Sequence, residues 1–378
     1  MHYLTPIAAR SAFISNCIGG KMNARNLVFS FIATSFFSAG VMANTGPSKE
    51  ALSLSSQPVP LTTAVSPEFY EFSKHFPAPN VEALQLNIPE TKEEWRAFVD
   101  ARDKPAMERA ALLAQRLGVT IEKDSIDGVD VYWVTPKTVA PELKDKLYVA
   151  IQGGAYMLNG GLASTSEASV IAAKMQIPAL AIDYTKSIDA PAPASRNDIV
   201  TVWNALLKTR SADDMVMGGT SAGGALTLAV TQELNKQALP VPAALYVGTP
   251  GVDMTMTGDS RYINEGLDHI LGSWRGISSA LVNVYVGDLA LSDPIVSPIN
   301  GSFEHFPPTY LITGTRDLLL SDTVRVHREL KRAGAEAELN VYEGQSHADY
   351  AVAFGTPESE EHYHALSEFF YGNLVKSR

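Results

Sequence analysis

The chain has 378 residues, of which 46% are hydrophobic and 19% are charged, so its composition supports one large folded domain or two smaller ones and argues against overall disorder. The formal net charge is −11 and no basic run occurs, which argues against a nucleic-acid-binding surface. An acidic surface is otherwise the ordinary condition of a soluble protein.

The first 43 residues differ in composition from the rest. They contain no acidic residue, carry Lys21 and Arg25, and continue into the apolar run LVFSFIATSFF at 27–37 before small Ala43. A positive region, a short apolar region and a small-residue cleavage site are typical of a secretory signal peptide. We therefore expect residues 1–43 to be removed and the mature protein to be periplasmic or secreted, without stable membrane insertion.

Two alternatives for this segment stay open. An uncleaved anchor is the weaker one, because a membrane-spanning helix needs about 20 apolar residues. Translation starting at Met22 is the other, and it would make residues 1–21 an artefact. Cleavage of the signal would remove Cys17, the single cysteine of the sequence, so no intramolecular disulfide is expected.

A flexible leader and a helical segment follow. Residues 44–65 are rich in Ser, Thr and Pro, as in a linker, and residues 66–125 are predicted to form an N-terminal helical cap segment. Within the cap segment one helix is predicted to open at 93–98. A second is predicted over 105–117, beginning at a proline and ended by Gly118.

Residues 126–378 are predicted to form an α/β catalytic domain. Alternation over 120–135 around the dipeptide Asp127-Gly128 predicts a hairpin that feeds a sheet. Short apolar runs then alternate with helical patterns, which indicates a mainly parallel central sheet covered by helices on both faces. The interval at about 252–291 interrupts this rhythm and is predicted to be a partly helical cap insertion over one end of the sheet. The predicted strands are 147–151, 179–183, 215–217, 244–247, 309–313 and 339–342, and the predicted helices lie near 166–174, 197–207, 221–235, 322–332 and 359–374.

The strongest motif is MVMGGTSAGGALTLAV. Its Gly219, Ser221 and Gly223 fit the pattern G-x-S-x-G between an apolar strand and a helix. In that context the serine sits on a sharp, strained turn, where small neighbours prevent steric clashes. The field at the helix N-terminus favours negative charge beside it. Ser221 is therefore predicted to be a nucleophile.

A serine nucleophile needs a base and a group that orients the base. Asp317 follows one predicted strand and His347 follows the next, which is the order serine, acid, histidine expected after a G-x-S-x-G turn. We predict that Ser221 attacks a carbonyl, that His347 carries the proton and that Asp317 holds His347.

Other titratable residues fit these roles less well. Asp322 competes with Asp317 for the acid role, but its position suits a helix cap. His327 lies in a charged helical pattern and is expected on a solvated face. His362 and His364 are two residues apart, so they point to different sides of a helix and make a poor metal pair.

The stretch IQGGAYMLNGG at 151–161 begins at the end of a predicted buried strand and continues into residues with little or no side chain. A tetrahedral intermediate places negative charge on an oxygen, which needs preorganised N–H donors. One such donor is the residue after the nucleophile, Ala222. The other donors must come from a loop at the end of another strand, where glycine-rich backbone can approach a substrate closely. The run Gly153-Gly154-Ala155 occupies that position.

Taken together, these motifs resemble the α/β-hydrolase fold and, more narrowly, the bacterial hormone-sensitive-lipase-like esterases. The resemblance covers roughly residues 66–375 and rests on the glycine-rich loop, on GTSAGG, SDPIVSP at 292–298, PPTYLITGTRD and SHADY. It implies that Gly154, Ala155 and Ala222 donate to the oxyanion, while Gly153 sets the turn.

The sequence departs from that family at two places. The family's loop usually reads His-Gly-Gly-Gly followed by an aromatic residue, whereas this chain has Gln152-Gly153-Gly154-Ala155-Tyr156. The second motif reads IDYTKSIDAPAPASRND instead of Tyr-Arg-Leu-x-Pro-Glu. Gln152 can still hydrogen-bond, and Ala155 can donate if its φ suits a residue with a Cβ.

The resemblance implies a cofactor-free, metal-free serine carboxylesterase that hydrolyses short- to medium-chain acyl esters or lactones through an acyl-enzyme. Its partner is then a small-molecule ester, held under a cap built from the N-terminal helices and the insertion. A binding protein without turnover, and an acyltransferase or peptidase on the same fold, remain alternatives. Tyr156, Met157, Tyr262 and Trp274 are candidate pocket residues that could equally form cap core.

Overall fold

A computed structural model describes residues 58–375 of the chain. The predicted signal peptide and residues 44–57 of the predicted leader lie outside this range. An eight-stranded sheet in the order β1-β2-β4-β3-β5-β6-β7-β8 forms the centre of the described part. The strands are β1 Val119–Ile126, β2 Val129–Pro136, β3 Leu147–Ile151, β4 Ala179–Ile182, β5 Met215–Thr220, β6 Ala244–Gly248, β7 Thr309–Gly314 and β8 Ala337–Tyr342.

The sheet is parallel except at one edge, as predicted. β1 pairs with β2, and β2 with β4, in antiparallel fashion, whereas every pair from β4 to β8 is parallel. The turn between β1 and β2 has positive φ at both Asp127 and Gly128, which suits the twist of a two-residue hairpin. The predicted domain boundary at 125/126 falls inside β1, whose first residue is Val119.

Helices cover both faces of the sheet. The side chains of β3 alternate between the two cores, since Leu147, Val149 and Ile151 pack on one side and Tyr148 and Ala150 on the other. The first core also contains residues of α4, α5 and α8, and the second contains residues of α3 and α10. The helices are α1 Pro67–Ser73, α2 Lys92–Leu117, α3 Ser166–Met175, α4 Ala194–Leu206, α5 Ala222–Lys236, α6 Ser260–Ile263, α7 Ile277–Val286, α8 Leu320–Arg332, α9 Asp349–Val352 and α10 Pro357–Leu374.

The N-terminal segment contains one long helix where two were predicted. α2 begins at the capping box of Thr91 and Glu94, passes through Pro105 and ends at Gly118 in the left-handed conformation. A proline inside a helix loses one hydrogen bond and usually kinks or breaks it. Here tertiary contacts fix the preceding turn, because the buried Asp103 carboxylate accepts the N–H groups of residues 159 and 160 at 2.8 and 2.9 Å.

The predicted insertion lies between β6 and β7 and contains α6 and α7. Leu281 of α7 packs with Trp95 of α2 and with Met157, just after the glycine-rich loop. The cap elements and that loop therefore share one apolar cluster. Within residues 58–375, no helix combines the length and apolar character needed to span a bilayer.

Candidate active site

The nucleophile turn joins β5 to α5. Ser221 has φ 62° and ψ −122°, a backbone conformation that residues with a Cβ rarely adopt. A Cβ on Gly219 or Gly223 would lie only 1.8 or 2.0 Å from the carbonyl oxygen of Ile151. The two glycines are therefore required by close packing of the turn against β3, and this packing holds Ser221 at the end of the sheet.

The predicted acid and base meet beside this turn. Asp317 and His347 follow β7 and β8, so both lie at the carboxyl edge of the parallel strands, where ligands bind in such sheets. Asp317 Oδ1 is 3.2 Å from His347 Nδ1. An Nδ1–H that donates to Asp317 leaves Nε2 as the proton acceptor. Ser221 and His347 line the same cavity.

Neighbouring groups hold Asp317 firmly. Its Oδ1 accepts the N–H of Leu319 at 2.7 Å, and its Oδ2 accepts the hydroxyls of Thr313, at 2.9 Å, and of Thr249. Thr249 Oγ1 also lies 3.3 Å from His347 Nδ1, so this hydroxyl touches both members of the pair. The sequence reasoning missed Thr249, although its position directly after β6, at the same edge of the sheet, was a usable signal.

Burial and neighbouring charges have opposite effects on the pKa of His347. Burial disfavours the imidazolium, but Asp317, Asp268 and Asp349 favour it, and together they raise the pKa of His347 above its usual value. A base with a raised pKa accepts a proton more readily, as a general base must.

The cap insertion contributes a second acidic group that the sequence did not reveal. Asp268 is fully buried; its Oδ2 accepts the N–H of Leu318, at 2.9 Å, and its Oδ1 accepts that of His347, at 3.4 Å. The next residue, His269, has its Nδ1 2.9 Å from Ser346 Oγ. The dipeptide Asp268-His269 therefore joins the loop of the acid to the loop of the base.

The glycine-rich loop lies against the nucleophile turn. A Cβ on Gly153 would be 2.7 Å from the carbonyl oxygen of Thr220. The carbonyl oxygens of Gln152 and Gly153 accept from Tyr184 Oη and Asn159 Nδ2, at 2.9 and 3.1 Å. Both carbonyls are thus held by other groups, which keeps negative dipoles away from a developing oxyanion.

The three expected donors lie together beside this loop. Gly154 and Ala155 have φ of 117° and 50°, and their N–H groups donate to no backbone or side-chain acceptor within residues 58–375. Ala222 is the first residue of α5, where a backbone N–H has no partner inside the helix. All three residues line the cavities that meet at Ser221.

The two departures from the family motifs are in contact with each other. The amide of Gln152 is satisfied when it donates to the carbonyl of Ile182, at 2.5 Å, and accepts from Lys186 Nζ, at 2.6 Å. Lys186 belongs to the altered second motif and also donates to Asp183 Oδ1 at 2.8 Å. The contact between Gln152 and Lys186 therefore joins the two altered motifs.

Comparison with known proteins agrees with this geometry. A family model described as the alpha/beta hydrolase fold matches residues 148–351, which is more than half of the chain. The chain belongs to the α/β-hydrolase fold family. Its match includes the loop at 152–156, the nucleophile turn, Asp317 and His347.

Individual relatives confirm the resemblance to esterases that the motifs indicated. An esterase of Acinetobacter venetianus is 26% identical over 225 residues, which cover 59% of this chain and 74% of that protein. The crystal structure of an esterase E25 is 43% identical, with a TM-score of 0.84, and covers 86% of this chain and 99% of its own. An esterase of the bacterial hormone-sensitive lipase family, 23% identical, has a TM-score of 0.67 over 82% of this chain and 100% of its own, which is a likeness of fold.

Two cavities of this α/β-hydrolase meet at Ser221. The main cavity, of about 580 Å³, also reaches His347, Gly153 and Glu167. The side cavity, of about 80 Å³, lies beyond Ala222 and is lined by Tyr156, Met254, Trp274, Val282 and Leu319 among others. Both share Ala155, Ser221 and Leu281, so a substrate bound at the serine has two directions in which to extend.

Glu167 is a further acidic group in this α/β-hydrolase that the sequence did not single out. Its carboxyl accepts the hydroxyl of Thr220 at 2.5 Å and the N–H of Thr220 at 3.2 Å. Burial raises the pKa of Glu167, although these two bonds act in the opposite direction. Glu167 thus supports the residue that precedes the nucleophile.

Two of the four candidate pocket residues, Tyr156 and Trp274, line the side cavity. Tyr262 is 65% exposed and donates to the carbonyl of Met256 at the surface. Met157 is buried in the cluster with Trp95, which corresponds to the cap-core alternative. 

The competing acid has a structural role. Asp322 accepts the N–H groups of Val252 and Asp253, at 3.0 and 3.3 Å, and pairs with Arg261 at 2.6 Å. It therefore does not cap its own helix, contrary to expectation. The guanidinium of Arg261 lies 3.9 Å from the ring centre of Trp274, so this ion pair supports one wall of the side cavity.

His362 and His364 do not line either of the two cavities at Ser221. His362 is fully buried in α10 and His364 is exposed, so they face different sides of the helix, as predicted. No group of three or more His, Cys, Asp or Glu residues arranged to hold a metal occurs in the part of the chain that the structure describes.

Proposed function

We propose that this α/β-hydrolase is a serine carboxylesterase that acts through an acyl-enzyme on short- to medium-chain esters or lactones. The observation that carries the proposal is the contact of His347 with Asp317 at 3.2 Å beside Ser221, on a strained turn facing the loop of Gly154 and Ala155. These are the parts that acyl transfer requires. The named esterases among its relatives support the same reaction.

The chemistry follows from the arrangement. Ser221 Oγ attacks the ester carbonyl while His347 Nε2 takes its proton, and Asp317 stabilises the imidazolium that forms. The N–H groups of Gly154, Ala155 and Ala222 stabilise the oxyanion. His347 then protonates the leaving alcohol, and water, activated in the same way, releases the acid.

Hydrolysis of p-nitrophenyl esters from acetate to octanoate tests the proposal. We expect turnover by the wild type and a loss of about 10⁴-fold or more in kcat for Ser221→Ala, because the nucleophile is removed. Ser279→Ala, in α7, is the matched control, since Ser279 Oγ bonds only the carbonyl of Gly276 among described residues and should be dispensable. Unchanged activity of Ser221→Ala would contradict the assignment.

Labelling separates the alternatives. A fluorophosphonate should attach rapidly to Ser221 in the wild type and not in Ser221→Ala, whereas a protein that binds without turnover would remain unlabelled. Product analysis with added alcohol or amine acceptors distinguishes hydrolysis from acyl transfer or amide cleavage, since new esters or amides would indicate a transferase.

We also propose that the protein is exported. The positive, apolar and small-residue regions of residues 1–43 support this, and the domain arrangement of leader, cap and catalytic domain would follow the signal. Cell fractionation and the intact mass of the expressed protein test it. A mature chain that begins near residue 44 is the expected result, and a full-length protein in the membrane would favour an anchor instead.

A further inference from the structure

One positively charged side chain belongs to the wall of the main cavity. Arg102 is the only lysine or arginine among the described residues that line it. Arg102 lies on α2, and the next residue, Asp103, accepts the N–H groups of residues 159 and 160. This turn of the helix is thus fixed to the segment that follows the glycine-rich loop. Arg102 therefore has a defined place in the cavity that Ser221 also lines.

The guanidinium of Arg102 is also restrained by its own contacts. Its Cζ lies 3.4 Å from the ring centre of Phe98, and its Nη1 donates to the carbonyl of Phe98 at 3.1 Å. The ring of Phe98 packs edge-on against buried Trp95, with 5.4 Å between the ring centres. A long side chain that is already restrained loses less freedom when it binds an anion.

Arg102 has no carboxylate partner within residues 58–375, and its Nε and Nη2 donate to no described residue. Partial burial lowers the pKa of Arg102, and no neighbouring acid counteracts this effect. Arg275 of the cap insertion shows the usual arrangement, since its pairing with Glu265 raises its pKa. Even partial removal of a charge from water is unfavourable without a partner. An anion beside Arg102 would therefore be stabilised.

The remaining lining of the main cavity suits a molecule with an apolar body. It includes Leu113, Val170 and Leu281. Glu167 also lines this cavity, but its carboxyl accepts the hydroxyl and the N–H of Thr220 and forms no ion pair with a described residue. The cavity thus combines a largely apolar interior with one fixed cation.

We propose that the main cavity selects esters that carry a carboxylate on an apolar body, and that Arg102 binds this carboxylate. The Nε and Nη2 edge of a guanidinium presents two parallel N–H groups, which match the two oxygens of a carboxylate. The inference rests on the proposed esterase function and names its substrate class. Arg102 is then a specificity-determining residue that contacts the substrate away from the bond that is cleaved.

Two matched pairs of esters test the proposal. 4-Acetoxybenzoate and 4-acetoxybenzamide differ by a charge in the alcohol portion. The p-nitrophenyl monoester of adipic acid and p-nitrophenyl hexanoate differ by a carboxylate at the end of the acyl portion. The measured quantity is the ratio of kcat/KM for the charged ester to that for the neutral ester. Intrinsic reactivity cancels when this ratio is compared between variants, and so does a general loss of activity.

Variants of α2 assign the ratio to Arg102. Arg102→Met keeps the aliphatic stem and removes the charge, so it should lower the ratio about tenfold or more in at least one pair. The affected pair shows which portion of the ester carries the carboxylate. Arg102→Lys keeps the charge without the fork and should restore part of the ratio. Arg109→Met is the matched control, since Arg109 is exposed on α2 and lines neither cavity at Ser221.

Ionic strength gives a readout that a mere change of cavity shape would not move. Raising NaCl from about 20 mM to about 500 mM should lower the wild-type ratio about threefold or more, because the guanidinium of Arg102 is exposed enough to be screened. The ratio of Arg102→Met should not respond to salt.

The outcomes separate this inference from the proposed function. Ratios of Arg102→Met within twofold of the wild type in both pairs, while the neutral esters are still cleaved, overturn the carboxylate site. Absence of hydrolysis of every ester, together with no labelling of Ser221, would instead reject the esterase. Calorimetry with 4-phenylbutyrate tests the site in that case as well: Arg102→Met should weaken binding about tenfold, and equal affinity of both proteins overturns the proposal.

Discussion

At the scale of single residues, Ala155 shows how a departure from a family motif is tolerated. Its φ of 50° lies in the left-handed region, where a residue with a Cβ is disfavoured by about 1–2 kcal/mol. The N–H direction depends on the backbone and not on the side chain, so alanine retains the donor. The methyl group also packs beside the cap cluster around Met157, which offsets part of the strain.

Substitution of Ala155 therefore has an expected direction. Ala155→Gly should leave the free energy of unfolding within about 1 kcal/mol of wild type, since relief of strain is offset by the greater freedom of the unfolded chain. Ala155→Val should be destabilising and lower kcat, because a β-branched residue is a genuine outlier at positive φ. Urea denaturation and p-nitrophenyl acetate kinetics measure both effects, and a Val variant as stable and active as the Gly variant would refute the strain argument.

Among single residues, the sequence predicted the triad far better than it predicted the residues that line the pocket. Ser221, Asp317 and His347 each follow a strand that periodicity could find, and the structure brings them to one edge of the sheet. Tyr262 and Met157 gave no comparable information, because a large apolar residue in an irregular segment can face solvent, core or cavity. Only the packing of the cap decides among these.

At the scale of elements, the loop after β3 and the loop after β4 are joined by the contact of Gln152 with Lys186. Lys186 is almost fully enclosed, and burial lowers its pKa, while Asp183 counteracts that effect. A buried ammonium needs such partners to remain charged. The loop that presents Gly154 and Ala155 is thus anchored by a residue of a different motif.

Loss of this anchor should reduce the rate more than it weakens binding. Lys186→Met keeps most of the aliphatic stem but removes the donor to the side-chain oxygen of Gln152 and to Asp183 Oδ1, so we expect a loss of about 1–3 kcal/mol of stability. kcat should fall about 10–100-fold with a smaller change in KM, because misplaced donors affect the transition state most. Thermal unfolding and steady-state kinetics measure this.

A matched control for Lys186 is available. Lys208 pairs with Asp127 at the surface at 3.4 Å, with both side chains more than half exposed, so Lys208→Met should behave as wild type. If Lys186→Met also retained wild-type kcat, the anchoring role of this contact would be rejected.

Strands and helices were predictable from the sequence where their hydrophobic periodicity depends only on neighbouring residues. The six predicted strands from residue 147 onward and the hairpin before them are present, with shifts of up to three residues at their ends. The break predicted at Pro105 is absent, because Asp103 is fixed by the backbone at 159–160, far away in sequence. A pattern read over a few residues cannot include such a contact.

At the scale of the whole molecule, the cap insertion does more than cover the site. Asp268 accepts N–H groups from the loops of both Asp317 and His347, although it comes from between β6 and β7. It also adds negative charge beside the imidazole and thereby helps to raise the pKa of His347. No sequence motif indicates this role of Asp268, because the role depends on how the insertion folds back onto the loops of Asp317 and His347.

The dependence of kcat/KM on pH should report this charge. His347 acts as a base only when it is neutral, so its raised pKa moves the acidic limb of the profile to higher pH. Asp268→Asn removes one of the charges that stabilise the imidazolium, so we expect the limb to move to lower pH. kcat should also fall about 10–100-fold, because the loops are less well aligned.

Asp259→Asn is the control for the pH profile, since Asp259 is exposed in the same insertion. It should leave both the limb and kcat unchanged. A limb that stays in place in Asp268→Asn, with the protein folded by circular dichroism, would show that Asp268 does not act on His347 electrostatically.

The ion pair of Arg261 with Asp322 has a consequence for the evolution of this enzyme. A change of Trp274 alone leaves a buried guanidinium without the ring that covers it, and a change of Arg261 leaves a buried carboxylate without its partner. Each first step toward a different side cavity therefore lowers stability. Descendants with a side cavity of different shape are expected to carry substitutions at Trp274, Arg261 and Asp322 together. A change of Val282 on α7 is the other route, because Val282 is not part of the ion pair.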